Sequence, residues 1–263
     1  MLPLVLMLAA PARAGKAPEP VLPLVPCVAL SFDDGPEMTF TPRLLDILAR
    51  EKVKATFFVV GKRLAYSPGL VKRAFDEGHE IGNHTFDHRR LTDLPDSEAV
   101  AEIEMTDEAV MAETGRRPDL IRPPWGLIDT RVEAALRKAG LWRKIALWDL
   151  DSLDWLDDDA RMTTLLASGV PAGSVVMMHD IHASTIEAVP GIIRNLKTRG
   201  FHFSTISGLE ACRAGAPAAV AAVPAAPAPA GPVLTEGAAR DGFAHALDGF
   251  KPLEEFFTRR FGS

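Results

Sequence analysis

Cysteine is scarce in this chain: its 263 residues contain two. They form no Cys-x-x-Cys pair, and we assign neither sulfur a catalytic role. The sequence also lacks a run of about 20 apolar residues, so no transmembrane helix is predicted. It has no block of lysine and arginine, and its net charge of -6 argues against a nucleic-acid or anionic-membrane partner. A neutral or weakly charged substrate fits this composition better.

The two cysteines, Cys27 and Cys212, lie just before the first predicted strand and just after the last one. If the fold brings those strands together, an exported protein keeps the pair oxidised as a disulfide. Two unrelated buried thiols are the alternative. The spacing leaves both possibilities open.

The ends of the chain differ in composition from its middle. Residues 1–14 are apolar and end in Ala12-Arg13-Ala14, a pattern typical of a secretory signal peptide cleaved after Ala14. Residues 213–240 form an Ala/Pro-rich linker, and 241–263 form a short amphipathic tail with helically spaced phenylalanines. We therefore predict a bacterial protein that is secreted or periplasmic, with one domain over residues 26–212. The tail would cover an apolar patch, contact a partner or lie on a membrane surface.

Short apolar segments alternate with amphipathic ones between residues 26 and 212. The predicted strands are 28–32, 55–60, 80–83, 120–122, 144–148, 174–178 and 201–205. The predicted helices include 42–52, 68–77, 97–113 and 130–138. This alternation predicts an α/β fold with a mainly parallel sheet that is buried on both faces. Seven strands suit either an open doubly wound sheet or a distorted, incomplete barrel.

Polar residues follow five of the predicted strands. The segments are SFDDGP at 31–36, HTFDH at 84–88, RPPWG at 122–126, DSLDW at 151–155 and HD at 179–180. The carboxyl ends of parallel strands gather at one edge of a sheet, where the active sites of such folds lie. The sequence therefore predicts one active site built from five loops.

Two of these segments carry metal-ligand chemistry. His84 and His88 are spaced i, i+4, which in a helical turn places both imidazoles on one face, as in many zinc sites. Such a pair is often only a polar surface, but the neighbouring carboxylates favour a metal. Asp33 and Asp34 end an apolar strand and point to opposite sides if that strand continues. One would bind the ion and the other would take a proton from water.

His179 and Arg122 complete the predicted chemistry. His179 ends an apolar strand, where it is either a hydrogen-bonded core histidine or, on this rim, a general acid tuned by a carboxylate. Arg122 either pairs with an exposed acid or orients Asp33 as a base. The shared rim favours the catalytic interpretation of both residues.

The five segments together resemble the five motifs of the polysaccharide deacetylases, the NodB-homology group or carbohydrate esterase family four. The resemblance covers roughly residues 26–210. It implies a distorted, incomplete (β/α)7 barrel. It also implies a divalent metal, most often Zn²⁺ with Co²⁺ or Ni²⁺ as substitutes, held by Asp34, His84 and His88. By the same resemblance Asp33 is the general base and Arg122 its orienting partner.

The remaining roles also come from the resemblance. The backbone N–H of Trp125 would stabilise the oxyanion, and His179, held by Asp154, would protonate the leaving amine. Trp155 and Met177 would line the pocket for the acetyl methyl group. Trp125 stands where the family most often has tyrosine, and Met177 where it usually has leucine, which is a mild change because Met is adaptable.

The implied activity is metal-dependent hydrolysis of the acetamido groups of N-acetylglucosamine units in a cell-wall or chitin-like glycan, with release of acetate. An O-acetyl polysaccharide esterase would use the same residues. A non-catalytic carbohydrate-binding module with a structural metal is a third possibility, which the intact set of Asp33, Arg122 and His179 disfavours.

Overall fold

The computed structural model describes residues 26–156 and 159–213. These residues form alternating strands and helices with two short 3-10 turns at Leu91–Asp93 and Pro124–Gly126. The strands are β1 Cys27–Asp33, β2 Thr56–Val59, β3 Glu80–Asn83, β4 Leu120–Ile121, β5 Lys144–Ile145, β6 Leu150–Asp151, β7 Ser174–His179 and β8 His202–Ser204. The helices are α1 Thr41–Glu51, α2 Gly61–Leu64, α3 Leu70–Asp76, α4 Asp96–Thr114, α5 Thr130–Lys138, α6 Ala160–Ser168, α7 Ala183–Thr198 and α8 Leu209–Arg213. The four predicted helices are present, with ends within two residues of those expected.

All strand pairings of the described chain are parallel, in the order β5-β4-β3-β2-β1-β7-β6. β8 pairs with the first half of β1, whereas β2 pairs with the second half and β7 runs along the other edge. No pairing of described residues joins β5 to β6, so the curled sheet stays open there. The sheet is an open half-barrel with helices outside it, which confirms the predicted distorted and incomplete barrel.

The strand predicted at 144–148 is shorter in the structure, and an unpredicted strand follows it. β5 ends at Ile145, and the short strand β6 follows at Leu150–Asp151, so the described chain has eight strands where the sequence predicts seven. The carbonyl groups of Ala146 and Leu147 accept hydrogen bonds from the Arg122 side chain rather than from a neighbouring strand. A side chain therefore satisfies the backbone at the open edge of the barrel.

β1 is buried along its whole length. Leu30 and Phe32 face the cluster of side chains between the sheet and its helices, whereas Cys27 and Ala29 belong to the smaller cluster inside the half-barrel. This alternation follows from the two-residue period of a strand, and burial of both faces is typical of parallel sheets. Asp33 lies an even number of residues after Cys27 and Ala29, so it is on the same inner face. It ends β1 at the mouth of the half-barrel.

A disulfide joins Cys27 at the start of β1 to Cys212 in α8, with 6.1 Å between the two Cα atoms. Of the two possibilities that the sequence leaves open, the structure has the disulfide. The predicted signal peptide at 1–14 and tail at 241–263 lie outside the described residues, as does all of the predicted linker except Arg213, which ends α8. Within the described parts, no helix is both long and apolar enough to cross a membrane.

Gly82 leaves room for an aromatic ring that supports the centre of the half-barrel. Gly82 in β3 pairs with Phe58 in β2, and a Cβ atom at position 82 would overlap the Phe58 ring. That ring lies 4.0 Å from the Arg122 guanidinium carbon. We expect Gly82→Ala to lower the free energy of unfolding by about 1–3 kcal/mol, measured by urea denaturation, because the core becomes overpacked.

Gly169→Ala is the matched control. A Cβ atom there would make contacts of 3.5 and 3.6 Å with backbone oxygens, which are ordinary van der Waals distances. We expect a change of less than about 1 kcal/mol, in the stabilising direction, because alanine restricts the unfolded chain. Equal destabilisation by the two substitutions would show that overlap with Phe58 is not the cause.

Candidate metal centre and catalytic site

The polar residues predicted from the sequence meet at the carboxyl edge of the sheet, after β1, β3, β4, β6 and β7. Within residues 26–156 and 159–213, one group of three side chains could hold a metal ion. Asp34, His84 and His88 each offer a ligand atom, and these atoms lie within 4.8 Å of one another. The structure therefore brings together the three residues predicted as ligands.

Asp34 faces the two histidines because the chain turns at that residue. β1 ends at Asp33, and Asp34 has φ 74°, in the left-handed region. Its Oδ1 atom lies 3.4 Å from Nε2 of His84 and 3.2 Å from Nε2 of His88. The two aspartates thus face different groups, although the strand does not continue through both.

The Asp34 Oδ1 atom is buried and has no hydrogen-bond partner in the described structure. Burial opposes its ionisation, but His84 and His88 outweigh burial and lower the pKa of Asp34, so the carboxylate is charged at neutral pH. Burial also lowers the pKa of His88, which favours a neutral ring. An unpaired carboxylate oxygen between two imidazole nitrogens is a donor set that fits a divalent cation.

The loop that carries the two histidines is not helical. Thr85 and His88 have φ values of 67° and 55°, and the rings of His84 and His88 lie 4.9 Å apart across the loop. The prediction that a helical turn brings them together is therefore wrong. Left-handed residues rather than a 3.6-residue period place both rings beside Asp34.

Two side chains outside the loop accept hydrogen bonds from its backbone N–H groups. The buried Glu102 carboxylate of α4 accepts hydrogen bonds from the backbone N–H groups of Phe86 and Asp87, both at 2.8 Å. Asn83 Oδ1 accepts a third from the Thr85 N–H at 2.8 Å. Glu102 and Asn83 are not predicted from the sequence, because neither belongs to a motif. An acidic residue on an otherwise buried helix face was the available signal.

His84 is held in one tautomer. Its Nδ1 atom lies 2.6 Å from the backbone carbonyl oxygen of Arg122, so Nδ1 carries the proton and donates it to that oxygen. In the neutral form of this ring, Nε2 carries the lone pair, and this atom faces Asp34 Oδ1 at 3.4 Å. A backbone carbonyl that fixes the far nitrogen is the usual support for a metal-binding histidine.

Arg122 is fully buried and its guanidinium group is satisfied by oxygen acceptors. Nη1 donates to Asp33 Oδ1 at 2.7 Å and to Ser31 Oγ at 2.9 Å. Nε and Nη2 donate to the carbonyl groups of Ala146 and Leu147 at 2.8 and 3.1 Å. A buried cation is tolerable only when it is paired in this way. Arg122 therefore fixes the position of the Asp33 carboxylate.

His179, at the end of β7, is paired with the buried Asp154. Nδ1 of His179 lies 2.8 Å from Asp154 Oδ1, while Oδ2 accepts hydrogen bonds from the His179 backbone N–H and the Thr185 hydroxyl. Burial favours the neutral ring, but Asp154, assisted by Asp33 and Asp34, outweighs it and raises the pKa of His179 to about 9. The imidazole is therefore protonated at neutral pH.

Of the three other predicted site residues, Trp125 lies against a proposed metal ligand. Trp125 is half exposed, with φ 57° and its ring 4.7 Å from the ring of His88. Trp155 is also half exposed, and its Nε1 donates to the Asp151 carboxylate at 3.2 Å. Met177 is buried in β7. The acetyl pocket expected from Trp155 and Met177 stays a prediction.

Residues other than glycine with left-handed backbone conformation cluster in these loops. In the part of the chain that the structure describes, the loop residues are Asp34, Thr85, His88, Trp125 and Leu153, and Lys52 at the end of α1 is the one outside them. Such conformations cost free energy, so they persist only where surrounding contacts enforce them. The loops after β1, β3, β4 and β6 are therefore held in specific shapes.

Glu102 offers a test of how far the histidine loop depends on α4. We expect Glu102→Ala to weaken Zn²⁺ binding about 10- to 100-fold, because two loop N–H groups lose their acceptor and the histidines lose their fixed positions. Isothermal titration of the metal-free protein with Zn²⁺ measures this change. Glu102→Gln, which keeps an oxygen acceptor, should restore part of the affinity.

Glu98→Ala is the control on the same helix, because Glu98 is exposed and pairs with Arg89 at 2.8 Å. It should leave the affinity for Zn²⁺ unchanged. A Glu102→Ala protein that folds and binds Zn²⁺ as tightly as the wild type would exclude the positioning role.

Comparison with known proteins agrees with this geometry. Residues 23–142 match the protein family described as polysaccharide deacetylase. The peptidoglycan-N-acetylglucosamine deacetylase PgdA of Listeria monocytogenes is 40% identical over 183 residues, which are 69% of this chain and 38% of the relative. A peptidoglycan-N-acetylglucosamine deacetylase of Bacillus cereus is 34% identical over 186 residues, which are 69% of this chain and 87% of that relative. The chain thus spans less than half of the Listeria protein and most of the Bacillus cereus protein.

A solved structure shows the same fold. The peptidoglycan deacetylase PdaC of Bacillus subtilis superimposes with a TM-score of 0.67 at 35% identity, and the match covers 72% of this chain and 92% of that one. The resemblance seen in the five motifs is therefore confirmed across most of the described residues. The chain belongs to the polysaccharide deacetylase family.

Proposed function

We propose that this chain is a metal-dependent deacetylase that hydrolyses the acetamido groups of N-acetylglucosamine units in a cell-wall or chitin-like glycan and releases acetate. One observation carries the proposal. A group of side chains able to hold a cation lies beside two ion pairs, Asp33–Arg122 and Asp154–His179, that are suited to proton transfer. The Listeria and Bacillus relatives are both named as peptidoglycan deacetylases, which supports a peptidoglycan substrate.

Asp34, His84 and His88 would hold the metal, for which Zn²⁺ is the first candidate and Co²⁺ or Ni²⁺ the substitutes. Three protein ligands are the number typical of a catalytic zinc site, in which a further position is left open. When bound, such an ion polarises the acetyl carbonyl and makes a water molecule more acidic.

Asp33 is the general base in this proposal. Its Oδ1 atom is held by Arg122, while Oδ2 lies 4.0 Å from His84 Nε2 and so faces the metal ligands. Oδ2 removes a proton from the attacking water as oxygen bonds to the acetyl carbon. Arg122 keeps the carboxylate oriented for this transfer.

Attack on the carbonyl creates an oxyanion, to which the Trp125 backbone N–H donates. Trp125 has a left-handed backbone conformation, with φ 57°, which turns its peptide group away from the direction of the preceding chain. A backbone donor aimed at developing charge stabilises a tetrahedral intermediate.

His179 supplies the proton that the leaving nitrogen needs. An amide anion is a very poor leaving group, so the C–N bond breaks only as nitrogen is protonated. In the register of β1 and β7, Asp33 lies directly beside His179, so the proposed base and the proposed acid are neighbours. Asp154 holds the imidazolium, and Trp155 and Met177 would enclose the acetyl methyl group.

The proposed location is outside the cytoplasm of a bacterium, secreted or periplasmic. The Cys27–Cys212 disulfide supports it, because disulfides persist in oxidising compartments. A cell-wall substrate of the kind named for the relatives would also be found there.

Substitution of the base separates metal binding from catalysis. We expect Asp33→Asn to bind Zn²⁺ normally but to release acetate from N-acetylglucosamine oligomers at least about 100-fold more slowly, since the amide cannot accept the proton. Acetate assay and metal analysis measure the two quantities. Asp46→Asn, which removes an exposed carboxylate paired with Arg73, should leave both unchanged.

The substrates of this assay also separate the candidate activities. The Zn²⁺-loaded protein should release acetate from peptidoglycan or chitin oligomers, and chelation should abolish release. Release from O-acetylated xylan alone would favour the esterase. Glycan binding without acetate release would favour a binding module, and full activity of the Asp33→Asn protein would remove Asp33 as the base.

The pH dependence of kcat/KM tests whether His179 is the general acid. Because Asp154 holds the pKa of His179 raised to about 9, kcat/KM should persist at neutral pH and fall as the pH rises past about 9. Asp154→Asn removes that charge, so the pKa of His179 should move toward the ordinary value of 6.5 and the alkaline fall in activity should shift to lower pH. Glu187→Gln, an exposed substitution on α7, should leave the profile in place. An unshifted profile in Asp154→Asn would rule out His179 as the group that titrates.

A further inference from the structure

Arg90 is a cation at the edge of the site whose charge is not neutralised. It is exposed. Among the described residues, no carboxylate lies within 4.0 Å of its guanidinium group, the upper limit for an ion pair. Neighbouring cations are paired: Arg89 with Glu98 at 2.8 Å and Lys62 with Asp87 at 3.0 Å. Among these neighbours, Arg90 is the one free to bind a charge from outside the protein.

Trp125 connects Arg90 to the metal ligands. The Arg90 guanidinium carbon lies 4.8 Å from the centre of the Trp125 ring, and that ring lies 4.7 Å from the ring of His88. Stacking on an aromatic ring restricts a flexible arginine and leaves its edge donors available. The guanidinium group is thus held two contacts from a proposed metal ligand, on the exposed side of Trp125.

We propose that Arg90 binds a carboxylate carried by the glycan, on a sugar next to the N-acetylglucosamine that is deacetylated. The planar guanidinium group matches a carboxylate through two parallel hydrogen bonds. In peptidoglycan, the lactyl group of N-acetylmuramic acid supplies such a carboxylate, either directly or through the peptide attached to it. Chitin offers no anionic group. This inference rests on the proposed deacetylase function and selects between the substrates left open there.

The net charge of the chain does not explain a preference for an anionic glycan, so the local charge of Arg90 matters. With a formal charge of -6, the protein as a whole does not attract anions. A preference for an anionic glycan must therefore arise from cations near the site. Arg90 meets this requirement because of its place beside Trp125.

The test compares one glycan in two charge states. The probe is a tetrasaccharide of alternating N-acetylglucosamine and N-acetylmuramic acid, with its lactyl carboxylates either free or converted to primary amides. For the Zn²⁺-loaded full chain, we expect kcat/KM for acetate release to be about tenfold higher for the acid form, mainly through KM, as suits a charge-assisted pair. Added salt should reduce this ratio.

Arg90→Gln should bring the ratio of acid to amide close to one. The ratio is the informative quantity, because any displacement of Trp125 affects both substrates alike and cancels. Arg90→Lys, which keeps the charge without the planar group, should retain part of the preference. Arg89→Gln is the control and should keep the wild-type ratio, since Arg89 is already paired with Glu98.

The result distinguishes this inference from the proposed function. If the protein releases acetate but wild type and Arg90→Gln show the same ratio, the Arg90 inference is wrong and the deacetylase function stands. If no glycan yields acetate, the proposed function fails. Calorimetric binding of the acid and amide tetrasaccharides to the two proteins then tests the carboxylate contact directly, and equal affinities for both forms would overturn it.

Discussion

The buried guanidinium group of Arg122 is the contact on which the rest of the site depends. It joins Ser31 and Asp33 of β1 to the carbonyl groups that follow the edge strand β5, through the interior of the half-barrel. Its own backbone carbonyl holds His84 in the tautomer suited to a metal. The free-energy cost of burying a cation is offset because the guanidinium group donates four hydrogen bonds and lies against the Phe58 ring. One residue thus fixes the proposed base, a proposed ligand and the edge of the sheet.

The site also shows how strained loops are supported by neighbouring elements. The left-handed residues after β3 would not persist on local preference alone, and Glu102 from α4 satisfies the N–H groups that this conformation exposes. Asp154 does the same for the backbone of His179 while it also binds the imidazole. In each case a carboxylate outside the proposed reacting set positions a residue inside it. Mutations at such carboxylates therefore act on the chemistry without contacting the substrate.

The sequence predicted the chemical composition of the site well, because the motifs lie at strand ends and strand ends converge in parallel sheets. Asp34, His84 and His88 meet as expected, and Arg122 lies against Asp33. The local geometry was less predictable. The i, i+4 spacing indicated a helical turn that the left-handed residue Thr85 excludes, and β6 was too short to show a pattern of its own. Glu102 could not be assigned, since its partners are backbone groups that come near it only in the folded chain.

The position of β1 in the sheet has a consequence for the order in which the chain can fold. β1 comes early in the sequence, yet its edges are covered by β7 and β8 from the other end of the domain. During synthesis from the amino terminus, β1 lacks these neighbours until the last strands have emerged. Sheets built from such distant pairs fold slowly, and their unpaired strands are exposed to association in the meantime. The domain therefore completes its fold late, a property that suits the proposed location outside the cytoplasm, because export channels accept unfolded chains.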